Sequence, residues 1–134
     1  MAAKDVLGAH GEEIATRELL ALGCSVLARN WRPAPGSGQV RGEIDIVARD
    51  GGELVVVEVK TRSTSAFGGA IQAVTRSKLA RLRRLAAAWL ATQERRGDFA
   101  GIDGVRIDGV RIDIVCIDIG RDGRPRVEIL RGVE

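Results

Sequence analysis

The sequence predicts an α/β fold whose elements follow the order α-β-β-β-α-β-β and pack as layers of helix and sheet. Two stretches repeat apolar residues every three or four positions, which is typical of amphipathic helices. Five short runs alternate apolar and polar residues or are rich in β-branched residues, which is typical of strands. The chain has 134 residues, the length of one ordinary domain, so we expect residues 1–134 to form a single domain.

The first helix is predicted over about residues 11–22, where apolar side chains recur at helical spacing. Gly23 follows directly and is a typical stop signal for a helix. Residues 24–31 are short and partly alternating, which indicates the first strand. A turn-rich segment with two prolines, residues 32–38, separates this strand from the next.

A hairpin of two strands is predicted in the middle of the chain. Residues 43–48 alternate apolar and polar side chains, and residues 53–61 form a run rich in β-branched residues. Between them, Asp50-Gly51-Gly52 is a signal for a tight turn. A two-residue turn can use either Asp50-Gly51 or Gly51-Gly52, so the sequence leaves two strand registers open.

The second half of the chain supplies another helix and two more strands. Apolar residues at three- and four-residue spacing predict the helix over about residues 69–93. Residues 102–106 and 107–111 repeat one pentapeptide, which we interpret as a loop extension because two copies are too few for a solenoid. This extension enters a strand predicted over residues 110–119, and a last strand is predicted over residues 126–130.

Composition excludes several classes of protein. With 45% hydrophobic and 29% charged residues, the chain has the balance of a folded domain. The longest aliphatic run, residues 54–57, is far shorter than the ~20 residues that cross a bilayer, so we expect no membrane association. The N-terminus lacks an apolar signal region, which favours a cytoplasmic protein. Two cysteines and one histidine are too few for a disulfide framework or a Cys/His zinc site.

Charge is distributed unevenly along the chain, although the net charge is only +3. Residues 76–96 contain seven basic residues and one acidic residue, whereas Glu43, Asp45 and Glu58 lie in the middle of the chain. All but three of the basic residues are arginine, which makes forked contacts with phosphate. The combination suggests a carboxylate site for a metal ion beside a surface that binds a polyanion.

The predicted hairpin brings acidic side chains onto one face. Successive strand residues alternate faces, so Glu58 and Lys60 share a face at the end of an apolar stripe. In the two open registers position 45 pairs with position 56 or 58, and Asp45 then shares the face of Glu58; a three-residue turn would separate them. A hard divalent cation such as Mg²⁺ can offset the repulsion of such carboxylates and still bind phosphate. This arrangement indicates phosphodiester hydrolysis.

The spacing of these residues resembles a known nuclease signature. Asp45, a gap of twelve residues and Glu58-Val59-Lys60 are similar to the Asp…(Asp/Glu)-x-Lys signature of restriction-endonuclease-like nucleases. The wider context resembles the YraN-type family of small, largely uncharacterised bacterial proteins, which is similar to archaeal Holliday-junction resolvases. The motifs of this resemblance are Gly11-Glu12-Glu13, Asn30-Trp31-Arg32, Gly42-Glu43-Ile44-Asp45, residues 57–62, Phe67-Gly68, Lys78 and an Arg-rich helix with Ala-Trp-Leu.

The resemblance implies a restriction-endonuclease-like core, in which helices flank a central mixed five-stranded sheet. It implies that Asp45, Glu58 and Glu12 are ligands of a Mg²⁺ (or Mn²⁺) ion and that Lys60 is the catalytic lysine. All four residues would then belong to one catalytic site. The choice between Glu12 and the adjacent Glu13 depends on the rotation of the first helix and stays open at this point.

Two further residues are expected to support the site. Glu43 lies two positions before Asp45, and we interpret it as a supporting or structural acid. Gln72 opens the second predicted helix, where some relatives of this nuclease fold carry a supporting glutamine. Neither residue is expected to be a principal metal ligand.

The predicted function is a divalent-metal-dependent endonuclease that hydrolyses DNA phosphodiester bonds, on branched or damaged duplexes as Holliday-junction resolvases do. Only 3% of the residues are aromatic and none is tyrosine, so stacking on single-stranded bases is poorly supplied and double-stranded or branched DNA is the expected partner. The residues expected to contact nucleic acid are Arg62, Arg76, Lys78, Arg81, Arg83 and Arg84.

Two alternatives to this function remain open from the sequence. The first is a catalytically weak nucleic-acid-binding accessory module of a DNA repair, recombination or uptake complex. The second is a nuclease that acts on RNA, since phosphate contacts do not distinguish the sugar. A homodimer is compatible with cleavage of both strands of a symmetric junction, but no sequence feature requires one.

Overall fold

The computed structural model describes residues 3–36, 40–63, 75–95 and 104–134. Within these residues the chain is an α/β protein with the predicted order α-β-β-β-α-β-β. The elements are α1 (Ala3–Ala21), β1 (Ser25–Trp31), β2 (Ile44–Asp50), β3 (Glu53–Ser63), α2 (Arg76–Arg95), β4 (Gly109–Ile119) and β5 (Pro125–Leu130). Neither of these two helices is both long enough and apolar enough to cross a membrane.

The described strands form one mixed sheet in the order β1-β2-β3-β4-β5. Strands β3 and β4 pair in parallel, while the other three neighbouring pairs are antiparallel. A parallel pair needs a long crossover connection, and α2 lies in the connection between β3 and β4. The mixed five-stranded sheet expected from the resemblance is therefore confirmed.

Each face of the sheet packs against one helix. The core on the α1 side consists of Ala15, Leu19, Cys24, Ile46, Ala48, Val55, Val57, Val115 and Ile117. The core on the α2 side consists of Ile44, Val47, Leu54, Val56, Leu79, Leu82, Leu85, Ala86, Trp89, Ile112 and Ile114. Strands β2, β3 and β4 contribute to both cores because their side chains alternate between the faces. These strands are buried on both sides and form a rigid centre.

The helices start at positions that differ from the sequence prediction. Helix α1 begins at Ala3, about two turns before the predicted start. The prediction missed these turns because residues 3–10 show no apolar periodicity. Helix α2 begins at Arg76, since Thr75 Oγ1 accepts a hydrogen bond from the Lys78 N–H at 3.1 Å and caps the helix. The predicted helix includes residue 75, which is instead the cap before the first turn of α2, and its earlier predicted residues 69–74 lie outside the described part.

The β2–β3 hairpin has the two-residue turn Gly51-Gly52, the second of the two predicted registers. Asp50 pairs with Glu53 across this turn, and the register continues without a bulge to Ile46 and Val57. Gly51 has a φ of 59°, in the left-handed region that glycine adopts at low cost. The next opposed positions of this register are those of Asp45 and Glu58.

A charge network holds the turn end of the hairpin. Arg111 on β4 contacts Asp50 Oδ2 at 2.9 Å and Glu53 Oε1 at 3.0 Å, the two residues that flank the turn. It also binds Asp113, which is 1% exposed and accepts a hydrogen bond from the Gly132 N–H at 3.0 Å. Because a buried carboxylate without partners is costly, this network favours the observed register.

Helix α1 approaches β3 closely at Gly11. A Cβ atom at this position would overlap Thr61 Oγ1 and lie 2.8 Å from Thr61 Cβ, so only glycine fits without movement. The close approach fixes the position of the residue that follows, Glu12, relative to the sheet. By contrast, a Cβ atom at Gly8, one turn earlier in the same helix, would meet nothing within 4 Å.

We predict that Gly11→Ala destabilises the protein and Gly8→Ala does not. Both changes gain about 1 kcal/mol of helix propensity, but Gly11→Ala also forces α1 away from β3 at a cost of roughly 1–3 kcal/mol. Urea unfolding of both variants measures the difference. Equal or greater stability of both variants would contradict the close packing of α1 on Thr61.

Candidate metal centre

The candidate site lies where β2 and β3 cease to pair. The last pair of the ladder is Ile46 with Val57, and Asp45 is the next residue toward the start of β2. Beyond this pair, the Val59 N–H donates a hydrogen bond to Asp45 Oδ2 at 2.8 Å. The carboxylate of Asp45 is thereby held at the opening between the strands.

Three carboxylates converge at this opening. Glu12 on α1, Glu43 just before β2 and Asp45 on β2 can each offer one oxygen, and these oxygens lie within 4.8 Å of one another. All three side chains are partly buried. The structure thus brings Glu43, expected in a supporting role, into the same group as Glu12 and Asp45.

The rotation of α1 distinguishes Glu12 from its neighbour. Glu13 is exposed and pairs with Arg29 at 3.1 Å and with Arg17 at 3.6 Å, away from the three carboxylates. With its side-chain amide oriented so that the nitrogen faces Glu12, Asn30 donates hydrogen bonds from Nδ2 to both carboxylate oxygens of Glu12 at 3.1 Å. Of the two adjacent acids, Glu12 is therefore the one at the site.

Asn30 is a site residue that lies in one of the sequence motifs, although its role is not predicted by the motif. Its φ is 50°, a left-handed backbone conformation that asparagine tolerates better than most residues. This conformation occurs near the end of β1, beside the point where the Glu12 carboxylate lies.

Glu58 lies beside this group but contacts two lysines. It is 8% exposed, and its Oε1 atom is 2.7 Å from Lys78 Nζ and 3.5 Å from Lys60 Nζ. Glu58 is absent from the three-carboxylate group among the described residues, although its charge acts on both Asp45 and Glu12. Lys60 comes from the same strand as Glu58, and Lys78 comes from α2.

The electrostatics of the site reflect an excess of negative charge. Burial, followed by the charge of Glu58, raises the pKa of Asp45 to about 7, against the opposing effect of the Val59 hydrogen bond. Burial also raises the pKa of Glu12, with further contributions from Glu43 and Glu58. Without a bound cation, the carboxylates of Asp45 and Glu12 therefore hold protons more tightly than isolated ones.

The two lysines respond in opposite directions. Burial and the neighbouring Lys78 lower the pKa of Lys60, although Glu58 opposes this change. For Lys78 burial has a lowering effect, but the hydrogen bond to Glu58 and the nearby acids outweigh it and raise the pKa. Lys78 is therefore the more firmly charged of the two ammonium groups around Glu58.

A basic surface adjoins this group. The side chains of Arg76, Arg81, Arg83 and Arg84 on α2 are exposed, and none pairs with an acidic residue in the part of the chain that the structure describes.

The basic surface is linked to the acids through Gly42, the residue before Glu43. A Cβ atom at Gly42 would lie 3.3 Å from Arg81 Cδ, so α2 packs against this short segment. Arg62 is half-buried and shares the strand face of Glu58 and Lys60. Gln72, the remaining residue expected near the site, lies outside the described residues.

The donor set fits a hard divalent cation. Glu12, Glu43 and Asp45 offer only carboxylate oxygens, which are the ligands that Mg²⁺ and Mn²⁺ prefer, and no histidine or cysteine takes part in the group. A cation at this position would also relieve the repulsion that raises the pKa of Asp45.

We predict that Asp45→Asn stabilises the metal-free protein at about pH 8 more than at about pH 5. Folded Asp45 has a pKa of about 7, whereas an unfolded aspartate has one near 3.9. Between these two pKa values the folded wild type binds one more proton than the unfolded state, so its free energy of unfolding falls as the pH rises through 7. The Asp45→Asn variant cannot bind this proton and therefore lacks this loss of stability. Urea unfolding at both pH values in the presence of a chelator measures the difference.

The matched control for this experiment is Asp118→Asn, which changes an exposed aspartate on β4 outside the carboxylate group. We expect the control to keep the pH dependence of the wild type. A pH dependence that is the same in wild type and Asp45→Asn would contradict the electrostatic description of the site.

The site residues lie within a segment that matches a known family. Residues 11–117 match the uncharacterised protein family UPF0102. A UPF0102 protein of Beutenbergia cavernae is 52% identical over 99% of both chains. One of Arthrobacter sp. (strain FB24) is 45% identical over 99% of both chains, and one of Frankia alni is 55% identical over 68% of this chain and 71% of its own. The expected resemblance to a small uncharacterised bacterial family is confirmed, and the chain belongs to the uncharacterised protein family UPF0102.

Proposed function

We propose that this protein is a divalent-metal-dependent endonuclease that hydrolyses DNA phosphodiester bonds. One observation carries the proposal: Glu12, Glu43 and Asp45 converge at the open end of the β2–β3 hairpin, whose second strand carries Glu58 and Lys60. The carboxylates at this strand end can bind a cation, and the neighbouring lysine can contact a phosphate. This combination is the one expected of a phosphodiesterase site.

Each residue of the site has a chemical task in this proposal. Glu12, Glu43 and Asp45 would hold a Mg²⁺ or Mn²⁺ ion, with Glu58 as a further acid. When bound, the ion supplies charge neutralisation for the phosphate and a more acidic water. Lys60 would orient the attacking water or stabilise negative charge on the phosphate oxygens. Burial lowers the pKa of Lys60, so its Nζ atom releases a proton more readily than that of an exposed lysine.

The substrate class follows from the basic surface of α2. Its exposed arginines Arg76, Arg81, Arg83 and Arg84 are free to contact phosphates, and Arg62 lies on the face of Lys60. Such contacts suit a regular or branched duplex, in which phosphates are displayed on the outside. Cleavage of both strands of a symmetric junction would further require two copies of the site, so we propose a homodimer on that substrate.

The proposed function predicts that adjacent glutamates behave differently. We expect Glu12→Gln to reduce metal-dependent cleavage of duplex and four-way-junction DNA by at least about tenfold, because it removes a ligand and an Asn30 contact. We expect Glu13→Gln to cleave as the wild type does, because Glu13 lies outside the carboxylate group. Gel assays with Mg²⁺ and Mn²⁺ measure both variants.

Asp45→Asn distinguishes the nuclease from the alternative functions. As a nuclease, the variant loses cleavage but retains its affinity for DNA, since the arginines of α2 are unchanged. DNA binding without cleavage in the wild type would instead favour the accessory binding module. Cleavage of RNA in preference to DNA of the same form would favour an RNA-directed nuclease.

A further inference from the structure

A single oxygen of Glu58 binds two ammonium groups. Oε1 is 2.7 Å from Lys78 Nζ and 3.5 Å from Lys60 Nζ, so the contact with α2 is the shorter one. The side chains of Lys78 and Lys60 are 28% and 26% exposed, respectively, which leaves both partly shielded from water. Lys78 thus supplies a positive charge where the site would otherwise have only acids and Lys60.

The local position of Lys78 is unfavourable without this contact. It lies in the first turn of α2, where the positive end of the helix dipole disfavours a cation, and this turn contains no acidic residue. The neighbouring Arg76 adds another positive charge. The contact with Glu58 explains why a charged Lys78 can be held there. A phosphate group placed at the same end of α2 could replace Glu58 as its partner.

We propose that Lys78 is a positioning residue that exchanges partners during substrate binding. It neutralises Glu58 in the metal-free protein, releases Glu58 toward the carboxylate group when a divalent cation binds, and then contacts a phosphate of the DNA. This inference rests on the proposed nuclease function. It assigns Lys78 a role different from that of the exposed arginines farther along α2, which have no acidic partner among the described residues.

The first test measures metal affinity without DNA. We expect Lys78→Gln to bind Mn²⁺ about threefold to tenfold more tightly than the wild type in isothermal titration, because Glu58 has lost a competing partner. Arg84→Gln removes one positive charge from an exposed position of the same helix and should change affinity less than about twofold. Lys78→Arg keeps the charge and should resemble the wild type. Thermal unfolding confirms that each variant folds.

The second test measures the salt dependence of binding to a non-cleavable four-way DNA junction. With Mg²⁺ present, we expect Lys78→Gln to reduce the slope of log affinity against log salt by about one, the loss of one phosphate contact. Without Mg²⁺, the slope of Lys78→Gln should equal that of the wild type, because Lys78 of the wild type is then bound to Glu58 and contacts no phosphate. Arg84→Gln should reduce the slope under both conditions.

The results separate failure of the exchange from failure of the nuclease function. If the wild type binds Mn²⁺ and cleaves DNA but Lys78→Gln gains no more affinity than Arg84→Gln, the exchange is wrong and the nuclease function stands. The same holds if the effect of Lys78→Gln on the salt slope does not depend on Mg²⁺. If neither the wild type nor Lys78→Gln binds Mn²⁺, both proposals fail.

Discussion

Repulsion among carboxylates at the opening of the β2–β3 hairpin is the constraint on which the rest of the site depends. Two unit charges about 5 Å apart repel by roughly 3 kcal/mol at an effective dielectric constant near 20. The protein brings Glu12, Glu43 and Asp45 this close, with Glu58 beside them, and partly buries all four. Proton uptake by Asp45 and the ammonium groups around Glu58 reduce the repulsion, and a divalent cation would reduce it further.

The rest of the fold opposes this repulsion by fixing the elements that carry the acids. Strands β2, β3 and β4 are covered on both faces, and Arg111 ties the far end of the hairpin to β4. Gly11 lets α1 approach β3 closely enough for Glu12 to reach the opening. The helices on the two faces of the sheet contribute different charges to the site: α1 supplies an acid and α2 supplies cations. In the proposed function, metal binding and phosphate binding would therefore take place at the end of one hairpin.

The order of elements and the placement of Asp45 and Glu58 could be predicted from local sequence. Alternation along strands and a short glycine turn suffice to put both acids on one face, provided that the turn has two residues. Which acid of α1 reaches the site could not be predicted, because it depends on how the helix rotates against the sheet. The contact of Asn30 with Glu12 and that of Lys78 with Glu58 join residues distant in sequence. Such contacts follow from tertiary packing and leave little periodic signal.

The most direct test of the proposed metal centre is the location of a bound ion by paramagnetic NMR. Substoichiometric Mn²⁺ should broaden the amide resonances of Glu12, Asp45 and Val59 first, and those of β5 should remain sharp. The diamagnetic Mg²⁺ should shift the same resonances without broadening them and should compete with Mn²⁺. Broadening confined to exposed acids elsewhere, or no selective broadening at all, would contradict a metal centre at the opening of the hairpin.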